Sequence, residues 1–190
     1  MRVIALGIST LLAATCHAGS IGIYANPDGT GCHLMIPQDG VASVYVIGNT
    51  TAADPNLGSI GSGEFRIVGL PSPWVAVAIR DPSLTIAFGD PLGDGVVFGW
   101  GGLQSGWIPL FRIVLVAATL EEDVELQVVR HVQPSPPFGY PTTCPWFHYP
   151  CGGACDNSGT CVEGISLVIN GVCEVGVEPA TWSRVRFLYR

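Results

Sequence analysis

The sequence predicts an all-β fold, a β-sandwich of jelly-roll type, and three observations carry that reading. Apolar and polar residues alternate in short runs, the period of strands with one face buried. The 25 glycines and 15 prolines separate those runs, while only 12% of residues are charged, which suits tight turns between many short strands. Five of the seven cysteines crowd into residues 144–173, the framework of a disulfide-rich loop. With 48% hydrophobic residues the chain can fill a core, so disorder is excluded.

The N-terminus sets the compartment. Met1 and Arg2 precede an apolar run over 3–14, then Cys16, His17 and Ala18 stand before Gly19. This is the pattern of a secretory signal peptide cleaved near Ala18, and the run is too short for the roughly 20 residues that span a bilayer. Residues 11–16 also resemble a bacterial lipobox, in which Cys16 would be lipidated. The expected organisation is a signal peptide over 1–18, a sandwich domain over 19–178 containing the cysteine segment 144–173, and a helical tail over 179–190. No further segment is apolar enough to span a membrane, so the mature protein is expected outside the cytoplasm, secreted, periplasmic or on the cell surface.

Cleavage removes Cys16 and leaves Cys32, Cys144, Cys151, Cys155, Cys161 and Cys173, an even set that can pair completely in a connectivity the sequence leaves open. A zinc site using His148 beside Cys144, Cys151 and Cys155 fits less well. There is no C-x-x-C pair, and thiolates need a reducing compartment. All eight basic residues are arginine against 15 acidic ones, a balance that disfavours nucleic acid as a partner.

In chain order, a first strand is expected over 20–25 and a turn over 26–29, where Asn, Pro, Asp and Gly follow one another. Strands follow over 32–36 and 41–48, then a polar loop over 49–59. Residues 61–70 alternate cleanly, with Phe65 and Ile67 expected inward and Glu64 and Arg66 in water. Pro71 and Pro73 end that strand. Runs over 74–79 and 84–88 flank Arg80, Asp81 and Pro82, and 89–95 is a loop before a strand over 96–100. Residues 107–118 are almost wholly apolar except for Arg112, which predicts a central strand covered on both faces. The acidic turn at 121–123 leads into a half-exposed strand with Val124, Leu126 and Val128 on one side.

Beyond the cysteine loop, residues 165–169 and 172–177 flank Asn170 and Gly171, a pair that accepts the positive φ angles of a hairpin turn. Over 180–190, Trp182, Val185 and Tyr189 fall on one helical stripe, and Arg184, Arg186 and Arg190 lie toward the end where a helix dipole favours cations. So short a helix needs a surface to lie on. That surface is expected on the sandwich itself, with a sorting or partner-docking tail as the alternative.

Two resemblances rest on these residues. The ending over 181–190, Thr-Trp-Ser-Arg-Val-Arg-Phe-Leu-Tyr-Arg, resembles a tail found on uncharacterised secreted proteins of environmental bacteria. The order of elements over 60–132, in which a strand containing Glu64, Phe65, Arg66 and Ile67 precedes a loop and paired apolar strands, resembles cohesin-type modules. That second resemblance implies a nine-stranded sandwich and noncatalytic protein binding on a sheet face.

No catalytic constellation is recognised. His33, His131 and His148 lie in separate segments, and 58–63 lacks the spacing of a nucleophile elbow. Asp90 with Asp94, or Asp28 with Asn26, could seat a loop calcium, although calcium wants ~6–8 oxygens and turn stabilisation suits these residues better. No other cofactor is expected. Trp74, Trp100, Trp107 and Trp146 would form a carbohydrate-binding face if exposed in a line, and otherwise belong to the core. The reading is a secreted noncatalytic module that binds a protein or glycan at the cell surface. A carbohydrate-binding domain or a secreted hydrolase is the alternative. A flat apolar sheet face would point to a protein partner, a row of tryptophans to a glycan, and a pocket joining His131 or His148 to carboxylates to catalysis.

Overall fold

Where apolar residues occupy every second position, a strand forms with that side turned inward. The computed structural model describes residues 19–50, 60–133, 144–148 and 159–172, and all regular structure among them is β. The strands are β1 (Ser20–Tyr24), β2 (His33–Leu34), β3 (Gly40–Asn49), β4 (Ile60–Val68), β5 (Val75–Arg80), β6 (Ile86–Asp90) and β7 (Gly95–Gln104). They continue as β8 (Trp107–Ala117), β9 (Val124–Val129), β10 (Trp146–His148), β11 (Gly159–Cys161), β12 (Glu163–Ile165) and β13 (Leu167–Ile169). No helix among the described residues is long and apolar enough to cross a membrane.

Two sheets pack as a sandwich. The first runs β12-β1-β3-β8-β5, with β12 parallel to β1 and the other neighbours antiparallel. The second runs β11-β10-β4-β9-β13-β2, and the β6-β7 hairpin joins it through β4. The core lies between them. Ile21, Ile23, Val44, Val46, Leu110 and Leu115 come from one side, and Phe65, Phe98, Leu126, Phe147 and Leu167 from the other. Phe65 ties the layers together, edge-on to Phe98 at 5.7 Å within its own sheet and to Phe111 of β8 at 5.9 Å across the gap.

Two expectations are corrected. β8 is central, between β3 and β5, but one of its faces is open: Leu110, Ile113 and Leu115 are buried while Arg112 and Val116 are exposed. Apolar composition on both faces does not ensure cover on both, because a two-layer sandwich supplies a second layer to one side only. Glu64, expected in water, is 2% exposed. Strand β10 pairs beside it, setting Trp146 opposite Glu64, and Val97 of β7 stands opposite on the other edge. Residue alternation placed Glu64 on the outer face correctly; what the pattern lacks is any signal for the distant strand that covers it.

Two fastenings hold the far ends. Cys144 and Cys161, with Cα atoms 5.7 Å apart, bridge the entry to β10 and the end of β11, and Cys32 is also disulfide-bonded. Asn170 has φ of 54°, the left-handed conformation expected at this Asn-Gly pair. Its Oδ1 accepts from the Ile36 N–H at 2.7 Å, and its Nδ2 donates to the carbonyls of Ile36 and Glu121, each at 2.9 Å. The side chain thus does for Ile36 what a neighbouring strand would do, which explains why β2 stops at Leu34 although Ile36 is buried. β13 is flanked by β9 and β2. The second arm of the expected hairpin from Cys173 on, the signal segment, the tail with Trp182, Val185 and Tyr189, and Cys151, Cys155 and Cys173 lie outside the described residues.

Candidate functional site

The open side of the first sheet is an extended apolar feature, and its composition follows from the pairing register. Residues directly opposite each other on neighbouring strands share a face. Val41, Val116 and Val75 therefore form one row across β3, β8 and β5; Ser43, Val114 and Val77 form the next; Tyr45, Arg112 and Ile79 form the third. Val75 and Val77 are 59% and 55% exposed, and Val41 and Val116 are exposed as well. From strand spacing and rise, the three rows cover roughly 14 Å by roughly 10 Å. Valine is favoured here by its fit to a pleated surface, yet no layer among the described residues covers it.

At its third row the face deepens into a cleft of about 300 Å³, bounded by Tyr45, Ile79, Arg80, Pro109, Phe111 and Arg112. Two local irregularities open it. Between Val46 and Ile47 the register skips Leu110, a bulge that bends β8, and the 26–29 turn brings Pro27 to the rim. That turn is fixed from within. Asp28 Oδ1 accepts from the Thr30 N–H at 3.0 Å and the Thr30 hydroxyl at 2.6 Å, and these bonds hold the carboxyl below the usual carboxylate range. Gly29, at φ of 78°, lies beneath the Trp107 indole, where a Cβ would meet the ring at 2.6 Å.

The other expected chemistry is spread out. His33 is exposed on β2, and His131 Nδ1 accepts from the Gln133 N–H at 3.0 Å in a turn far along the chain. His148 ends β10, opposite Ser62 in the register. Asp90 Oδ1 accepts from the Leu92 N–H at 2.9 Å, so its carboxylate shapes a turn as that of Asp28 does. Among the described residues, no group of three or more His, Cys, Asp and Glu side chains could hold a metal ion.

The tryptophans do not line up. Trp74 is buried and donates its Nε1–H to the Thr119 carbonyl at 3.0 Å; Trp100 is half-buried edge-on to Phe98; Trp146 is half-buried beside Glu64. Trp107 alone among these four is exposed, and it rests edge-on against Tyr24 at 5.9 Å. Sequence reasoning found the strands of the open face but missed the face, since Val75, Val77 and Val116 read as core residues by type.

No protein-family model matches the sequence, and no curated protein matches it. Among solved structures, the chain is similar to the cohesin module of a family 33 glycoside hydrolase from Clostridium perfringens, with a TM-score of 0.50 and 13% identity over 82% of this chain and 99% of that one. The fold is cohesin-like. Two further cohesins align, the seventh ScaB type I cohesin of Pseudobacteroides cellulosolvens (TM-score 0.47, 11% identity, 83% of this chain and 95% of that one) and a non-cellulosomal cohesin of Archaeoglobus fulgidus (0.46, 15%, 83% and 93%). At these identities the likeness is one of fold. The cohesin-like sandwich expected from the order of elements over 60–132 is the one observed, and it extends over most of the chain.

Proposed function

We propose that this cohesin-like sandwich is a noncatalytic binding module that works outside the cytoplasm and holds another protein on the open face of β3, β8 and β5. The observation that carries the reading is that face itself: a valine-rich, largely exposed surface on a sheet whose opposite side is a closed core. Exposed contiguous apolar patches of this kind mark interaction sites. An oxidised Cys144–Cys161 pair agrees with an export signal, because such bridges persist in oxidising compartments. A glycan platform is less well supported, since only Trp107 of the four candidate tryptophans is exposed.

The test compares two charged variants of exposed positions. Val77→Asp with Val116→Asp puts carboxylates on the open face, and Phe88→Asp puts one on the exposed side of β6 in the other sheet. All three positions are exposed, so the melting temperature should hold. Proteins captured from the cell envelope of the producing organism should be lost with the double variant and kept with Phe88→Asp. The reverse pattern would place the partner on the other sheet, and capture of a glycan indifferent to the double variant would overturn the reading.

A further inference from the structure

The open face ends at an open edge. β5 pairs with β8 alone among the described residues, so the backbone groups on its far side have no ladder partner. Native edges are usually blunted by lysine, proline or a bulge. β5 has none of these: it reads Val-Ala-Val-Ala-Ile-Arg, and its register with β8 is unbroken from Val75 to Arg80. Ala76 and Ala78 face the core, which leaves Val75, Val77 and Ile79 beside whatever lies along that edge.

The charged end of the same strand meets the cleft. Arg80 and Arg112 both line it and both are exposed, and neither guanidinium has a hydrogen bond or ion pair among the described residues; Arg112 shares the open face with Ile79, while Arg80 is the next residue of β5, at the strand's end. The nearest carboxylate in the lining, Asp81, is turned to its own loop, where Oδ1 accepts from the Ser83 N–H at 2.9 Å. In a chain with eight basic residues against 15 acidic ones, two arginines at the margin of one cleft, neither with a side-chain partner among the described residues, form a local positive site on an otherwise negative molecule. Arginine forks are suited to carboxylates, which they hold through paired N–H donors.

We propose that β5 takes an extended acidic segment of a partner protein as an added strand. The segment's backbone pairs with the open edge, its alternate β-branched side chains lie over Val75 and Val77, and its carboxylates reach Arg112 on the open face and Arg80 at the strand's end. This rests on the protein-binding reading and specifies the chemistry of the partner. Strand addition of this type draws affinity from the backbone ladder and specificity from side chains at alternate positions. A second copy of the chain fits less well, because its β5 would bring valine, alanine and another arginine to these guanidiniums. The segment 181–190 fits less well too, since it carries three arginines and no acidic residue.

The test is selection of a displayed library of random linear peptides on the intact, oxidised protein, followed by synthesis of the enriched peptides. Enriched sequences should combine Asp or Glu with β-branched residues at alternate positions. Their binding should slow hydrogen exchange along Val75–Arg80 and should weaken about tenfold or more in the Arg80→Glu, Arg112→Glu double variant. Both arginines are exposed, and an unchanged melting curve verifies that the variant folds. Enriched peptides that ignore the double variant, or that protect Ile86–Asp90 instead, would discard the acidic-strand inference while leaving a protein-binding module. Concentration-dependent self-association protecting Val75–Arg80 would name the second copy as the occupant and overturn the inference. Enrichment of no peptide, together with capture of glycans alone, would overturn both readings.

Discussion

Replacing Asn170 separates two contributions that one residue supplies to the far end of the sandwich. Its side chain makes three hydrogen bonds, to both backbone groups of Ile36 and to the Glu121 carbonyl, and its backbone holds a φ of 54°. Asn170→Gly keeps the backbone conformation at no steric cost and removes only the side-chain bonds. With about 1 kcal/mol for each bond and an added penalty for leaving the Ile36 N–H unsatisfied in a part-buried site, the loss should be about 2–4 kcal/mol. Asn170→Ala should cost about 1 kcal/mol more, because a Cβ in the left-handed region meets the following carbonyl. Asn170→Asp keeps an acceptor for Ile36 but loses both donors and sets a negative charge against two carbonyl oxygens, so it should fall at or below the glycine variant. The assay is denaturant unfolding with disulfides intact, read as a shift in midpoint at constant slope. A glycine variant within about 0.5 kcal/mol of the parent would show that water replaces the side chain and that the bonds to Ile36 do not fasten the fold.

Leu115→Ala should cost about 2–5 kcal/mol by the same measurement, since Leu115 is fully buried on β8, while Val116→Ala beside it on the open face should stay within about 0.5 kcal/mol. Stability should fall as pH rises through the alkaline range. Burial pushes the Tyr24 phenol above its ordinary value of 10.0 and Glu163 adds to that, against an opposing hydrogen bond with Ser20, so the neutral form's contribution is intact below about pH 10 and is lost as pH climbs through the raised folded value; Tyr24→Phe should flatten that decline. Thiol titration of the mature protein, denatured but unreduced, should find no free cysteine, and two or more would break the disulfide framework. Deleting residues 181–190 should lower the melting temperature if Trp182, Val185 and Tyr189 pack on the sandwich; an unchanged melt with lost localisation would make the tail an address.

The strands were legible because their signal is local. Alternation around Phe65 and Ile67, β-branched runs at 41–48 and 124–128, and the proline and glycine stops between them are all decided within a few residues, and the structure places a strand at each. Boundaries moved where a distant partner decided them. β2 shortened because the Asn170 side chain took both backbone groups of Ile36, and β7 ran on to Gln104 because that residue pairs with Ile60 beyond an irregularity in β7. Such partners are separated from their strands by tens of residues, and a window along the sequence does not include them.

The site was less legible for a related reason, which bears on what the face is for. A run such as 75–79 or 113–117 states that its residues prefer a pleated apolar environment, but it carries no record of which side receives a second layer. Selection for solubility alone would have put threonine, serine or lysine at Val75, Val77 and Val116, as Ser43 shows is tolerated in the neighbouring position of the same face. Arg112 points the same way. It interrupts an otherwise apolar strand on the outer face, where it sits between Tyr45 and Ile79 without a partner among the described residues. A lone cation in such a row adds nothing to the cohesion of the sheet, whereas a carboxylate brought by another molecule would give it a partner in partly dry surroundings, where a charged hydrogen bond is worth most. The open valines, and an arginine without a side-chain partner among the described residues, are the features that the proposed protein partner would complete.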